Sequence, residues 1–340
     1  MPSWKSFSKT TIRRLAGLAV IVVLVTIALV IGALFYGWSQ FAGGLPELEH
    51  WHQEHPASEF SADLEDPDFT FDDYLALEED IYEELAAFEA GPWKDGTAGP
   101  LNRFNPDSIS HPSKHGDRNW NRSLLREAPD PKGGVLMIHG LSDSPYSFRG
   151  FAESLYQAGY SILVLRVPGH GTCPGALAEV DHEDWTAAVR IAARDLRSRI
   201  PEDAPLVVAG FSNGGALTVH YAATSVVEDD LPVPDALILF SPMIAISSLA
   251  EITRYHNWIA AVSGDERAHW SGINAPIDPY KYSSWPMNAS VQAFHMTKKV
   301  EAALARLDTD GRMGEFPRVF SAVSAIDATV NISDLVTRLY

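Results

Sequence analysis

The sequence predicts an α/β protein: a mostly parallel, doubly wound sheet with a helical lid insertion, preceded by one N-terminal transmembrane helix. Three observations carry this. From about residue 118, short β-prone apolar runs alternate with amphipathic helical stretches. Such runs read as strands buried on both faces, joined by crossover helices. In "VVAGFSNGGALTV" a strand breaks at Gly210 and a helix restarts at Asn213, leaving Ser212 on the turn between them. Finally, residues 15–38 contain no charged residue at all.

The 340 residues suffice for one large domain plus extensions. A content of 46% hydrophobic and 21% charged residues suits a globular chain and argues against disorder throughout. The uncharged stretch at 15–38 departs from that average. At 1.5 Å per residue it reaches roughly 36 Å, enough to cross a hydrocarbon core of about 30 Å with some tilt. Lys5, Lys9, Arg13 and Arg14 precede it, and no Lys or Arg follows before Lys94. The positive-inside bias therefore puts the basic tail, 1–14, in the cytoplasm and the rest on the periplasmic or extracellular side. A cleaved signal peptide has a shorter apolar region and a small-x-small site, which "FYGWSQFAGG" matches poorly. The core is also too long and too apolar for a twin-arginine signal, although Arg13 and Arg14 are adjacent. A buried helix of a soluble protein is the remaining alternative to an uncleaved signal anchor.

The formal charge is −18 for the whole chain, and the four cations of the basic tail leave −22 on residues 15–340. An acidic ectodomain argues against nucleic acid and against anionic headgroups as partners; solubility or salt adaptation explains it simply. The single cysteine, Cys173, excludes an internal disulfide.

Residues 39–117 read as an acidic connector that includes one amphipathic helix. In "FDDYLALEEDIYEELAAFEAG", Tyr74, Leu77, Ile81, Leu85 and Phe88 recur at spacings of three and four, and Gly91 closes the stretch. The 16 acidic residues between Glu47 and Glu89 suit a solvated face better than a metal or partner site.

Residues 118–340 supply the sheet. The strands are "GGVLMIHG", "SILVLRVPGHG", "APLVVAG", "DALILFSP" and "PRVFSAVSAIDATV", with helices between them and another begun by "NISDLVTRLY". Residues 245–316 break the rhythm. Rich in Trp, Tyr, His and Met and mainly helical in pattern, they read as a lid over one edge of the sheet.

Gly210-Phe211-Ser212-Asn213-Gly214 fits G-x-S-x-G, a match that chance supplies in about one chain in ten of this length. Its strand–turn–helix setting is what makes it a nucleophile elbow. There the serine takes a strained backbone, the flanking Gly210 and Gly214 let strand and helix pass closely, and the helix N-terminus favours developing negative charge. Acyl transfer also needs oxyanion donors. The Asn213 N–H, next after the serine, is one. Leu141, following His139 and Gly140 at the end of an earlier strand, offers the other.

With "HGLSDSPYSFR", "RVPGHGTCPG", "GFSNGG" and "AVSAIDATV" in that order, the chain from about Gly133 onward resembles the α/β-hydrolase superfamily. The branch it is similar to holds monoacylglycerol lipase-like esterases, lysophospholipases and serine aminopeptidase-like proteins. The resemblance implies that Asp327, just after a strand, is the triad carboxylate, and that His139 and His170 are structural loop residues. It implies no metal and no organic cofactor, and the lone cysteine leaves no Cys-rich zinc site. Serine at the elbow disfavours the haloalkane dehalogenase chemistry that an aspartate would serve.

The family order is serine, acid, histidine, yet no histidine follows Asp327. Three expectations follow. The sequence is C-terminally truncated, lacking the last strand and helix; or His256, His269 or His295 in the lid supplies the base; or the chain is a non-catalytic, membrane-tethered binding module. The expected function is a membrane-anchored serine hydrolase cleaving small ester or acyl-lipid-like substrates, with a serine aminopeptidase-like activity as the alternative.

Overall fold

The computed structural model describes residues 9–91, 101–116, 118–245 and 255–323, with side chains from Arg13 onward. Six strands form the main sheet: β1 (Leu124–Arg126), β2 (Gly134–Ile138), β3 (Ser161–Leu165), β4 (Leu206–Phe211), β5 (Ala236–Phe240) and β8 (Arg318–Ala322). Their order is β1-β3-β2-β4-β5-β8; all pairings are parallel except that of β1 with β3. The mostly parallel, doubly wound architecture expected from the apolar runs is the one observed.

Alternation along the strands feeds two cores. Leu136 and Ile138 of β2, Leu163 and Leu165 of β3, and Val208 of β4 face one side with α6 (His182–Ser198), α7 (Asn213–Val227) and α9 (Met287–Thr309). Val135, Met137, Ile162, Val164 and Ala209 face the other, under Phe148 and Ala152 at the start of α4 (Arg149–Gln157). Helix α7 is buried almost all round because it lies between the sheet and α9.

The acidic connector proves to be part of this core. Its helix α3 (Phe71–Glu89) starts from a Thr70–Asp73 capping box. Phe60, Phe71 and Tyr74 then join the main cluster beside Trp185. Ile81, Tyr82 and Leu85 pack with Trp51 and Phe104 around the buried Cys173. Of the expected stripe, Tyr74, Ile81 and Leu85 are buried and Leu77 and Phe88 half-buried, but Glu78, among the carboxylates expected to be solvated, is buried too.

Helix α1 (Lys9–Gly43) runs past the predicted span, and from Arg13 it is long and apolar enough to cross a membrane. Its C-terminal end meets the segment after β5. There α8 (His256–Ser263), a 3₁₀ turn (Glu266–His269) and the β6–β7 pair (Trp270–Gly272 and Trp285–Pro286) form a small insertion. Ala42 packs with Ile259, Ala260 and Ala268, flanked by Phe35 and Trp38. The stretch expected as a lid, 245–316, thus holds two kinds of element. Its α9 is a crossover helix of the core, because Ala289, Ala293, Met296, Val300, Leu304 and Leu307 join the main cluster where α9 packs on α7.

Candidate active site

β2 sends its chain to β3 on one side, and the return through α6 enters β4 on the other, so the connections diverge between β2 and β4. A crevice at the carboxyl ends of two such strands is where open α/β sheets bind ligands. Ile138 of β2 pairs with Gly210 of β4, and just beyond them stand Gly140 and Ser212.

Ser212 has φ 53° and ψ −115°, a left-handed conformation that a side-chain-bearing residue adopts only under constraint. The constraint is visible. The Ser212 N–H donates to the Phe240 carbonyl (3.0 Å), and the Ser212 carbonyl accepts from Met243 (2.9 Å) and Gly215 (2.9 Å). Close packing does the rest. A Cβ on Gly214 would collide with the Ile138 carbonyl, and one on Gly210 with the Gly214 carbonyl, so the start of α7 presses onto the ends of β2 and β4. Ser212 itself is half-exposed, and its side chain caps nothing.

The loop after β2 lies against this turn. A Cβ on Gly140 would sit 3.2 Å from that of Ser212 and 3.0 Å from the Phe211 ring. His139 sets how the loop is turned. Its Nε2 accepts from the Val167 N–H (3.1 Å), which leaves the proton on Nδ1 to be donated to the Gly140 carbonyl (2.9 Å). Asp143 N–H donates to the same carbonyl (3.2 Å). In a trans peptide the N–H points opposite to the C=O, so anchoring the Gly140 oxygen fixes the Leu141 N–H in the reverse direction. Burial, with the neighbouring His170, holds His139 well below the usual imidazole range and keeps it neutral.

His170 is buried, lowered to about 4 by desolvation, and bonded through Nδ1 to the Pro168 carbonyl (3.0 Å). Arg166 donates to the His170 carbonyl (3.1 Å). These contacts build the loop after β3. His256 and His269 bond each other through their Nδ1 atoms (2.9 Å) beside Glu266, while the His295 ring lies 5.4 Å from that of His182. Asp327 lies outside the described residues.

Sequence reasoning missed several contributors. Ser142 and Ser241, at φ 61° and 40°, share the strained backbone of Ser212 on the loops beside it. Asp143, one residue further along the Leu141 loop, is pushed up to about 6 by burial. Tyr282 of the insertion ties two loops together: its N–H donates to Ser142 (2.8 Å), and its hydroxyl accepts from the Thr172 N–H (2.9 Å) and donates to Gly169 (3.1 Å). No spacing in the sequence signals such a contact. Among the described residues, Asp181, His182 and Glu183 are near enough together for a metal, but Asp181 is engaged in capping α6.

Comparison with known proteins is consistent with this geometry. Residues 129–339 match the family model described as serine aminopeptidase, S33. A thermostable monoacylglycerol lipase from a Bacillus species is 26% identical over 175 residues; the match covers 51% of this chain and 65% of the relative's length. The structure reported for the metagenome-derived lipolytic enzymes LipS and LipT has a TM-score of 0.51 at 24% identity, covering 65% of this chain and 83% of that one. A monoacylglycerol lipase from Paleococcus ferrophilus gives 0.46 at 18% identity, with 64% and 82% covered.

Proposed function

Since the chain belongs to the serine aminopeptidase S33 family of α/β hydrolases, in its monoacylglycerol lipase-like branch, we propose that it is a membrane-anchored serine hydrolase of carboxylic esters. Ser212 Oγ attacks the ester carbonyl, and the Leu141 and Asn213 amides receive the oxyanion. A histidine oriented by Asp327 takes the serine proton and returns it to the leaving alcohol. Water then releases the acyl group. The observation that carries this reading is the strained Ser212 backbone with Gly140 packed against it. Leu141 and Asn213 suit the oxyanion role because Leu141 follows the Gly140 that packs against the turn and Asn213 is the first residue of the helix after it.

Two features favour a lipid-like ester. The first is the apolar helix α1. The second is an exposed stripe on the insertion, formed by Tyr255, Trp258 and Val262 next to the outer end of α1. The basic tail before α1 favours a cytoplasmic N-terminus.

The test is hydrolysis of a short-chain nitrophenyl ester by the full chain in detergent, beside Ser212→Ala. A nitroanilide amide runs in parallel to separate esterase from aminopeptidase chemistry. Turnover of the nitrophenyl ester that is lost in Ser212→Ala is the expected outcome. Fast turnover that survives Ser212→Ala would overturn the reading.

A further inference from the structure

Away from Ser212, a cavity of about 440 Å³ opens between α3, the segments 101–116 and 118–122, and Gly171. Its described wall carries Arg103, Arg118, Arg122 and His111 against one carboxylate, Glu89. That balance is opposite in sign to residues 15–340 as a whole, which carry −22. We propose that this cavity binds a phosphate monoester, either a small soluble phosphate ester or the phosphate of a lipid headgroup.

Arg103 carries most of the weight. It is 2% exposed, its Nη2 donates to the Gly171 carbonyl (3.3 Å), and its Nη1 is buried with no hydrogen-bond partner. Among the described residues it forms no ion pair; its other neighbours are the rings of Phe104 and Tyr282. A buried guanidinium facing carbonyls and rings is costly unless an anion meets it, and its planar fork suits a phosphate. Contrast Arg166, equally buried, which holds Glu59 and Glu78. Among the described residues, one buried arginine meets two carboxylates and the other stands at the cavity wall without one.

Asn121 narrows the class of ligand. Its Nδ2 donates to the Pro279 carbonyl (3.0 Å), which fixes the amide's orientation and leaves Oδ1 buried without a donor. An oxyanion that also carries a hydroxyl, such as a glycerol phosphate, satisfies Arg103 and Asn121 together. Arg122 lies over the Tyr82 ring and pairs with the exposed Glu79 (2.6 Å), a rim partner that an incoming phosphate can replace. Binding here does not require Ser212 to be catalytic.

The experiment uses the full chain in phosphatidylcholine nanodiscs, titrated calorimetrically with inorganic phosphate and with glycerol 3-phosphate. A parallel arm adds phosphatidic acid to the nanodiscs and reads hydrogen exchange over 101–122. Saturable binding of one glycerol 3-phosphate per chain, tighter than inorganic phosphate, supports a soluble ester. Protection of 101–122 only with phosphatidic acid supports a headgroup. Ala86 is an exposed residue of α3 at the cavity. Ala86→Glu is therefore expected to weaken either mode about tenfold, and Ala86→Lys is not; Arg103→Gln is expected to abolish both. Absence of binding in both arms, or affinity indifferent to Ala86→Glu and Arg103→Gln alike, would overturn the proposal.

Discussion

The ring of Phe35, near the C-terminal end of α1, meets the ring of Trp258 edge-on, with centroids 5.8 Å apart and planes at 71°. Nearby, the Trp38 indole N–H donates to the Ala268 carbonyl (3.3 Å). The apolar helix is thus packed onto the insertion as well as joined to the chain. An edge-to-face pair contributes about 0.5–1.5 kcal/mol beyond its buried area. Phe35→Ala is expected to speed amide exchange across α8 by roughly threefold to tenfold. Hydrogen exchange of the full chain in nanodiscs measures this, and unchanged protection of 256–263 would show that the contact holds nothing.

Gly140 is expected to be the residue where one added methyl costs turnover and spares folding. The new Cβ would lie 3.0 Å from the Phe211 Cδ1 and 3.2 Å from the Ser212 Cβ, so the Leu141 loop must retreat by a few tenths of an ångström. Loss of an aligned oxyanion donor costs about 10²–10³ in kcat. Gly140→Ala should show that loss in Ser212-dependent ester hydrolysis with a thermal midpoint close to wild type. Gly214→Ala, whose Cβ would strike the Ile138 carbonyl, should lower the midpoint itself.

Arg166 joins three parts of the chain. Its Nη1 and Nη2 hold Glu59 (3.0 and 2.8 Å), Nε holds Glu78 (3.2 Å), and Nη1 also reaches the His170 carbonyl. Glu78 in turn accepts from the Ser123 N–H and hydroxyl. Removing one partner of a buried pair strands the others, at a cost of about 3–5 kcal/mol. Arg166→Met is expected to destabilise by that amount in urea unfolding of the full chain. A loss below about 1 kcal/mol would mean that the carboxylates are solvated after all.

The elbow was legible in the sequence because strain leaves a composition signature: glycines at 210 and 214 are there for close packing that any side chain would block. The sheet was legible because parallel strands must be apolar on both faces. The role of α3 was only half legible. Its stripe appears at spacings of three and four, yet nothing local distinguishes Glu78, which meets Arg166, from Glu79, which pairs with Arg122 at the surface. Helix α9 reads as part of a lid in the sequence because its apolar repeat shows that one face is buried but not what it is buried against. Tyr282 shows the same limit, since a bond to Thr172 across 110 residues is a property of the tertiary fold.

Acid is expected to destabilise the domain between pH 6.5 and 4. His52, His170 and His220 are each lowered to about 4 by burial, and His139 is held well below its ordinary value for the same reason. In the unfolded chain they titrate near 6.5, so below that pH the unfolded state takes up protons that the folded state refuses. Their contribution is therefore complete above pH 6.5 and is lost as pH falls toward 4. Each fully buried imidazole loses up to about 1.4 kcal/mol per pH unit in that window. Asp143 works in the opposite direction: raised by burial to about 6, it binds a proton in the folded state first, and so returns stability as pH falls from 6 toward 3.8. His256 is lowered to about 4 by burial as well, and Asp184 and Glu78 are raised by burial like Asp143. The five histidines outweigh the three carboxylates and leave a net loss, on the order of 2 kcal/mol or more between pH 7 and 5. Urea unfolding of the full chain in nanodiscs at the two pH values measures it, and His170→Gln should flatten the slope by one imidazole's share. A midpoint that rises on acidification would mean that these rings are hydrated and titrate normally.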